Sequence, residues 1–237
     1  MQKKRFHKKL GKDYDLLIAA MPSYEELQNT LGTQIGNHTH AKNSKSLQVL
    51  EIGCGTGLTT AQILAADQRL EIDSIDNEPV MLKQAKDDLA SKNNRVTLIQ
   101  QDALTYLKSA QPQTYDVIAS AFTLHNFHHS YRTKVLQQIY RVLKPDGLFV
   151  NADKYAQDDL IKHNKELAWQ LKQFDDVFLP ANRVDLRDEW VKHYEEDNEI
   201  EIVMIEGKTI DEMKNMGFKN LKTVWRKHME AIVVAHK

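Results

Sequence analysis

From residue 46 the chain alternates short β-type runs with longer helical ones, and this constrains the fold more than any other feature. LQVLEIG is followed by LTTAQILAAD, LEIDSID by EPVMLKQAKDDLASK, and VTLIQQDA, YDVIASAF and LFVNAD continue the series. Such a succession marks βαβ units, hence an α/β fold with a parallel sheet covered by helices on both faces. The helical run YRTKVLQQIYRVLK is expected to close at Pro145-Asp146-Gly147, which turns the chain into the fifth strand. The last thirty residues read as a helix, IDEMKNMG, and two β runs, NLKTVWRKHM and AIVVAHK. Their close spacing predicts an antiparallel hairpin at the sheet edge.

A chain of 237 residues suits one domain. Residues 46–155 form its core, 1–45 an amino-terminal helical lid broken at Pro22 and expected over the sheet, 156–206 a helical cap insertion, and 207–237 the final helix and hairpin. Thirty-two basic against thirty-three acidic residues give a net charge of −1, so no global field attracts or repels a polyanion, and nucleic acid is neither implied nor excluded. The local basic excess at Lys3, Lys4, Arg5, Lys8, Lys9 and Lys12 reads as a solvated helix or tail in preference to an RNA or lipid contact. LLIAAM is too short for a secretory core and no run reaches the ~18 apolar residues of a membrane span. Cys54 is the single cysteine, which excludes an internal disulfide and a multi-cysteine zinc site and fits a reducing cytoplasm.

Gly53, Gly55 and Gly57 follow a buried-type strand and precede a helix, where an α/β sheet presents its ligand crevice. The dinucleotide fingerprint is G-x-G-x-x-G, whereas the spacing here is G-x-G-x-G with Glu51 two residues upstream. A carboxylate beside the loop repels a pyrophosphate and attracts a ligand bearing an amino group and a sulfonium, which argues for S-adenosylmethionine over NAD. Asp76 ends the second strand, where a carboxylate accepts both hydroxyls of a ribose, and Gln101-Asp102-Ala103 ends the third.

Glu51 to Gly57, Asp76 with Met81 five residues on, Gln101-Asp102-Ala103, YDVIASAFTLHNF and RVLKPDGLFV together resemble the successive motifs of class I S-adenosylmethionine-dependent methyltransferases, in order, over residues 47–155. The resemblance implies a Rossmann-like seven-stranded sheet, strands one to six parallel and the seventh antiparallel. It implies that Glu51 lies near the methionine amino group and that the Gly53, Cys54, Gly55 and Gly57 backbone runs along methionine and ribose. Asp76, with Asn77 and Met81 beside it, would meet the ribose, Asp102 and Ala103 the adenine, and Ser120, Ala121 and Phe122 the methionine end. Phe6 through Tyr14-Asp15 resembles the family's closing segment and makes Tyr14 a lid candidate, a packing role being the alternative. The YDLLIAAMPSYEEL and MGF…WR stretches resemble small-molecule methyltransferases and, more weakly, carboxy-S-adenosylmethionine synthases that act for tRNA wobble uridine.

Methyl transfer is an in-line displacement, so the site must chiefly position and desolvate the acceptor. His125, after the fourth strand, is the candidate general base, with loop capping as its plain alternative. His125, His128 and His129 have a spacing that meets a metal on a helix, but no acidic or cysteine ligand accompanies them, so no metal is expected. Asp153 and Tyr155 leave the fifth strand toward the crevice, and Trp169, Trp190 and Tyr194 offer aromatic surface in the cap or pack its helices. Arg183 and Arg226 are candidates to clamp an anionic acceptor, or pair with surface acids. Cys54 reads as a small loop residue. The expected activity is methyl transfer to a small-molecule acceptor, with a homodimer allowed. Modification of tRNA through a carboxylated donor, or donor binding without catalysis, are the rivals.

Overall fold

The computed structural model describes residues 10–237. Two helices come first, α1 (Leu10–Ala19) and α2 (Tyr24–His40). The alternating core follows as β1 (Leu47–Ile52), α3 (Leu58–Ala66), β2 (Leu70–Asp76), α4 (Pro79–Asp88), β3 (Val96–Gln100), α5 (Ala103–Ser109), β4 (Tyr115–Ala121), α6 (His129–Val142) and β5 (Leu143–Lys154). The chain then runs through α7 (Leu160–Phe178), α8 (Val184–Glu196), α9 (Glu206–Asn215), β6 (Lys219–Lys227) and β7 (Glu230–His236).

The seven strands lie in the order β3-β2-β1-β4-β5-β7-β6. β1 pairs in parallel with both β2 and β4, while β7 runs antiparallel to β5 on one side and β6 on the other. The sheet is therefore the Rossmann-like, mostly parallel one that the strand texture predicts, with β7 as its reversed strand. Strand order changes direction between β1 and β4, and in open α/β sheets such a switch point opens a crevice beyond the strand carboxyl ends. The glycine loop leaves β1 there.

Period-two alternation divides the strands between two cores. Val49, Ile72, Val117 and Val150 face α2 and α3 through Leu27, Leu31, Ile35 and Ile63. Leu50, Ile75, Ile118 and Phe149 face α5, α6 and α9 through Leu107, Val135, Ile139 and Met213. A third cluster joins Phe174 and Phe178 of α7 and Leu186, Trp190 and Tyr194 of α8 to Leu17, Ala20 and Met21.

That cluster corrects one expectation. α2 covers the sheet, but α1 packs on α7 and α8, because its apolar side meets the aromatic face of those helices instead of a strand. Gln170 Nε2 donates to the Ala20 carbonyl at 2.9 Å, and the Arg183 guanidinium pairs with Asp13, which ties α1 to this layer. The Pro145–Gly147 turn also differs from its reading. β5 already begins at Leu143 opposite Tyr115, and the turn residues form a bulge before Leu148 pairs with Val117. Asp146 at φ +56° absorbs the extra residues. No helix among the described residues is long and apolar enough to cross a membrane.

Candidate active site

Gly53, Gly55 and Gly57 have φ of +75°, +53° and +89°, a region costly to any residue with a Cβ. The Gly53 N–H donates to the Ile75 carbonyl at 2.8 Å and Gly57 N–H to Cys54 at 2.9 Å, so the loop folds back against β2. Gly53, Cys54 and Gly55 line a cavity over the strand ends. A Cβ built at Gly55 meets nothing within 4 Å, so backbone and open space meet there, as a close-bound ligand requires. Gly57 serves helix packing instead. A Cβ there would lie 2.9 Å from Leu89, so the glycine lets α3 approach the end of α4. Burial, followed by the Glu51 and Asp76 charges, pushes the Cys54 thiol far up, so it carries no thiolate.

Three carboxylates surround the loop. Asp76 lines the cavity, with Oδ2 accepting from Gly55 N and Oδ1 from Glu78 N, both at 2.9 Å. Each oxygen keeps a lone pair for a hydroxyl, and burial holds the group above the usual carboxylate range. Asp102 caps α5, its Oδ1 accepting from Thr105 N at 2.9 Å and its Oδ2 from the Tyr131 hydroxyl at 2.6 Å. Burial pushes its pKa up, but these hydrogen bonds outweigh it and hold the group low.

Glu51 lies one layer deeper than its sequence reading. Its side chain does not line the cavity. Oε2 accepts from Thr60 at 2.6 Å and Ser74 at 2.8 Å, while Oε1 is buried with no partner. Burial raises its pKa to about 7. An orphaned buried oxygen beneath the glycine loop and carboxylates at the next two strand ends fit a cationic donor.

Asn77, Met81, Ala103, Ala121 and Phe122 line the same cavity. Ser120 does not, since its buried hydroxyl donates to the Ile52 carbonyl at 3.2 Å and staples β4 to β1. Phe6 and the Tyr14 side chain lie outside the described residues. Tyr24 lines the cavity, stacked on Phe122 with ring centroids 5.8 Å apart.

Beyond Phe122 the cavity reaches His125, which sits on a 3-10 turn (Leu124–Asn126) after β4. The turn is fixed from below by Asp153, which is fully buried in β5. Asp153 Oδ2 accepts from Leu124 N at 2.9 Å and His125 N at 3.3 Å, and Oδ1 meets His125 Nδ1 at 2.5 Å. A carboxylate on Nδ1 assigns the proton to that nitrogen and leaves Nε2 as the basic one. Burial, then the nearby Lys154 charge, lower the His125 pKa against the pull of Asp153, so the ring is neutral near pH 7.

The remaining wall comes from Lys154 and from α8. The Lys154 ammonium pairs with Asp197 and lies 3.7 Å from the centre of the Tyr194 ring. Asp197 Oδ2 is also 3.8 Å from His125 Nε2 and 3.5 Å from His193 Nε2. Despite burial, Lys154 and the two histidines hold Asp197 well below the usual carboxylate range.

Of the seven acceptor-side candidates, five form no part of the cavity wall. Asp153 lies behind His125. Tyr155 is buried in the α5–α6–α9 core with its hydroxyl accepting from Asn151. Trp169 stacks on His228 at 3.5 Å, outside the cavity. Arg183 pairs with Asp13 and Asp185, and Arg226 with Glu206, so both guanidinium groups serve to join elements. Trp190 and Tyr194 do line it. Lys154, His193 and Asp197 have no counterpart in the sequence reading. The signal for the last two is an i, i+4 pair at the carboxyl end of α8, indistinguishable from surface charge in so polar a run. The His125, His128, His129 grouping does not form, since His129 turns away to Glu212 at 2.5 Å. Among the described residues the cluster with metal-ligating spacing is His125, His193 and Asp197.

Comparison with known proteins agrees with this geometry. A family model described as "Methyltransferase domain" matches residues 49–147. The whole chain is 25% identical to the full length of a carboxy-S-adenosyl-L-methionine synthase from Nautilia profundicola. It is 28% identical over 76% of its length to 66% of malonyl-[acyl-carrier protein] O-methyltransferase 2 from Ilyobacter polytropus. Among solved structures, an O-methyltransferase family protein from Burkholderia thailandensis superposes over 100% of this chain and 63% of its own, with TM-score 0.67 and 13% identity. The chain spans half to two thirds of such solved chains, and at this identity the likeness concerns the fold alone. Residues 49–147 thus match a methyltransferase domain, and the motif order and the carboxylate-ringed glycine loop agree with the arrangement of class I S-adenosylmethionine-dependent methyltransferases.

Proposed function

We propose that the protein transfers a methyl group to a small-molecule acceptor held between β4, β5 and α8. The observation that carries this reading is the continuity of one cavity from Asp76 and Gly55 to His125, Trp190, His193 and Tyr194. Bound there, S-adenosylmethionine supplies an electrophilic methyl on a sulfonium. Gly53, Gly55 and Asp76 hold its methionine and ribose parts, and Asp102 with Ala103 its base.

The acceptor end is walled by aromatic rings, and Leu17 of α1 and Met21 in the turn after it cover it, so water is displaced when an acceptor enters. His125 Nε2 receives the acceptor's proton, and Asp153 stabilises the resulting imidazolium through Nδ1–H. A screen of fractionated metabolite extracts for acceptor-dependent release of S-adenosylhomocysteine tests this. Release that disappears in His125→Ala is expected. Failure of the protein to bind S-adenosylhomocysteine in calorimetry overturns the reading.

A second reading, carboxylated-donor synthesis, is favoured by the full-length similarity to a carboxy-S-adenosyl-L-methionine synthase and by a lysine on the cavity wall. Against it, that lysine is already paired with Asp197. Mass spectrometry of the nucleoside that co-purifies separates the two. The carboxylated mass supports synthesis, and the unmodified mass supports methyl transfer.

A further inference from the structure

Glu51 is a buried carboxylate without a basic partner. It is 1% exposed, its Oε1 meets no hydrogen-bond donor, and its Oε2 is served by the Thr60 and Ser74 hydroxyls. Among the described residues the charged group that acts on it is Asp76, a second carboxylate. From this geometry we infer that Glu51 tells the methyl donor from the spent product: it holds a proton in the ligand-free and S-adenosylhomocysteine-bound protein, and releases it when the sulfonium of S-adenosylmethionine is bound. The inference rests on the methyltransferase reading for the identity of the two ligands. It makes Glu51 a specificity-determining residue that acts from behind the cavity wall.

Donor and product differ by one charge. Both carry the ribose, the adenine and a zwitterionic amino-acid end, and only the donor has a sulfonium. In methyl transfer the sulfur keeps the electron pair of the S–CH3 bond, so the sulfonium becomes a neutral thioether while the acceptor's proton passes to His125. Asp76 and Asp102 are placed for the parts that donor and product share, so discrimination falls to a group that responds to charge. Glu51 is well placed for it. Two residues of extended chain, about 7 Å, separate it from Gly53, which lines the cavity. Backbone and the Cys54 side chain, 5% exposed, lie between them, so solvent screens little of the field. Cys54 lines the cavity and registers that field, since burial and then the Glu51 charge push its thiol up.

Glu51 is faced from α3 by Thr60, from β2 by Ser74 and Asp76, from β4 by Ala119 in register, and from the loop by Cys54. Burial, with repulsion from Asp76 added, raises its pKa to about 7 against the pull of the two hydroxyls. The ligand-free group is therefore close to half protonated at neutrality. A unit positive charge within roughly 10 Å, at an effective dielectric of about 20, favours the carboxylate by about tenfold and lowers its pKa by about one unit. Donor binding thus expels a proton, and product, being neutral at sulfur, expels none. Below the pKa the donor must displace that proton and its advantage shrinks; above it the carboxylate is already ionised and the advantage is full. Once the methyl has left, the carboxylate recovers a proton from solvent, and the product lacks the attraction that held the donor.

Calorimetry of each ligand with the full chain, in two buffers of different ionisation enthalpy at about pH 6.5, counts the protons exchanged. S-adenosylmethionine is expected to release about half a proton more than S-adenosylhomocysteine. The affinity ratio in favour of the donor should rise about fivefold between about pH 5.5 and about pH 7.5. In Glu51→Gln the extra proton and the pH dependence of the ratio should both vanish, and the ratio at about pH 7.5 should fall about tenfold. Loosened loop packing would weaken both ligands together and leave the ratio unchanged, so the ratio separates charge from structure. An extra proton that persists undiminished in Glu51→Gln overturns the inference. Equal proton counts for the two ligands in the wild type overturn it as well, and that result needs no variant to fold. Binding of neither ligand overturns the methyltransferase reading, whereas binding of both with equal proton counts overturns this inference alone.

Discussion

The two cavity-facing glycines of the loop offer the sharpest separation of fold from function. Gly53→Ala and Gly55→Ala each force alanine into left-handed backbone, at φ +75° and +53°, which costs about 1 kcal/mol. Their surroundings differ. A Cβ at Gly53 would lie 2.1 Å from Thr123 Oγ1, and that hydroxyl is held by carbonyls of Ala121 at 2.9 Å and Gly53 at 3.3 Å. Thr123 cannot yield cheaply, so overpacking adds about 1–3 kcal/mol, for a total of roughly 2–4 kcal/mol. At Gly55 the methyl meets no atom within 4 Å, so folding loses only the backbone term of about 1 kcal/mol. That methyl occupies the space assigned to the donor. A clash of about 1–3 kcal/mol there weakens S-adenosylhomocysteine binding roughly 10- to 100-fold. Thermal unfolding without ligand and calorimetry with S-adenosylhomocysteine read the two quantities. Gly55→Ala should melt within a few degrees of wild type and bind poorly, whereas Gly53→Ala should melt markedly lower. A stable Gly55→Ala that binds like wild type would refute the assignment of this space.

Three further outcomes follow from the buried charges. Burial raises the Glu51 pKa from 4.5 to about 7, so the folded protein holds a proton that the unfolded chain has released, and stability declines as pH rises between those values. Glu51→Gln, which mimics the protonated form, should stabilise the ligand-free protein by up to about 3 kcal/mol at pH 8 and very little at pH 4; urea unfolding at both pH values checks this. Its affinity for S-adenosylmethionine should fall nonetheless, because the loop loses its nearest buried negative charge. Asp153→Asn should lower turnover about 100-fold or more while leaving S-adenosylhomocysteine affinity unchanged, since the amide neither fixes the Nδ1 proton nor supports an imidazolium; steady-state kinetics with the identified acceptor, beside calorimetry, separates the two. Lys154→Met opens the cation position among His125, His193 and Asp197, and calorimetry should find one zinc ion bound by the variant and far weaker binding by wild type.

The half of the cavity proposed for the donor is legible in the sequence because it is written in backbone. Gly53, Gly55, Asp76 and Asp102 occupy strand ends and loops whose positions follow from the βαβ alternation, and the structure brings them to one cavity. Glu51 and Ser120 were misplaced by a layer, since alternation along a strand says which face a residue takes but not how deep the ligand sits. The acceptor half was obscure because it depends on how α1, α7 and α8 pack. Arg183 and Arg226 have the chemistry of anion clamps, yet Asp13 and Glu206 claim them, and those partners lie 170 and 20 residues away in sequence. Lys154 and Asp197 are separated by 43 residues and meet only once α8 lies over β5. Nothing local distinguishes such a pair from the many acids and lysines of a chain that is 27% charged.

The central claim, that this cavity is a donor site whose ribose end is held by Asp76, is tested most directly by calorimetric titration of S-adenosylhomocysteine into the full chain and into Asp76→Ala. The account predicts one saturable site in the wild type and an affinity at least about tenfold lower in the variant, consistent with loss of hydrogen bonds to a charged acceptor. Absence of binding to the wild type, or equal binding to both proteins, would contradict it.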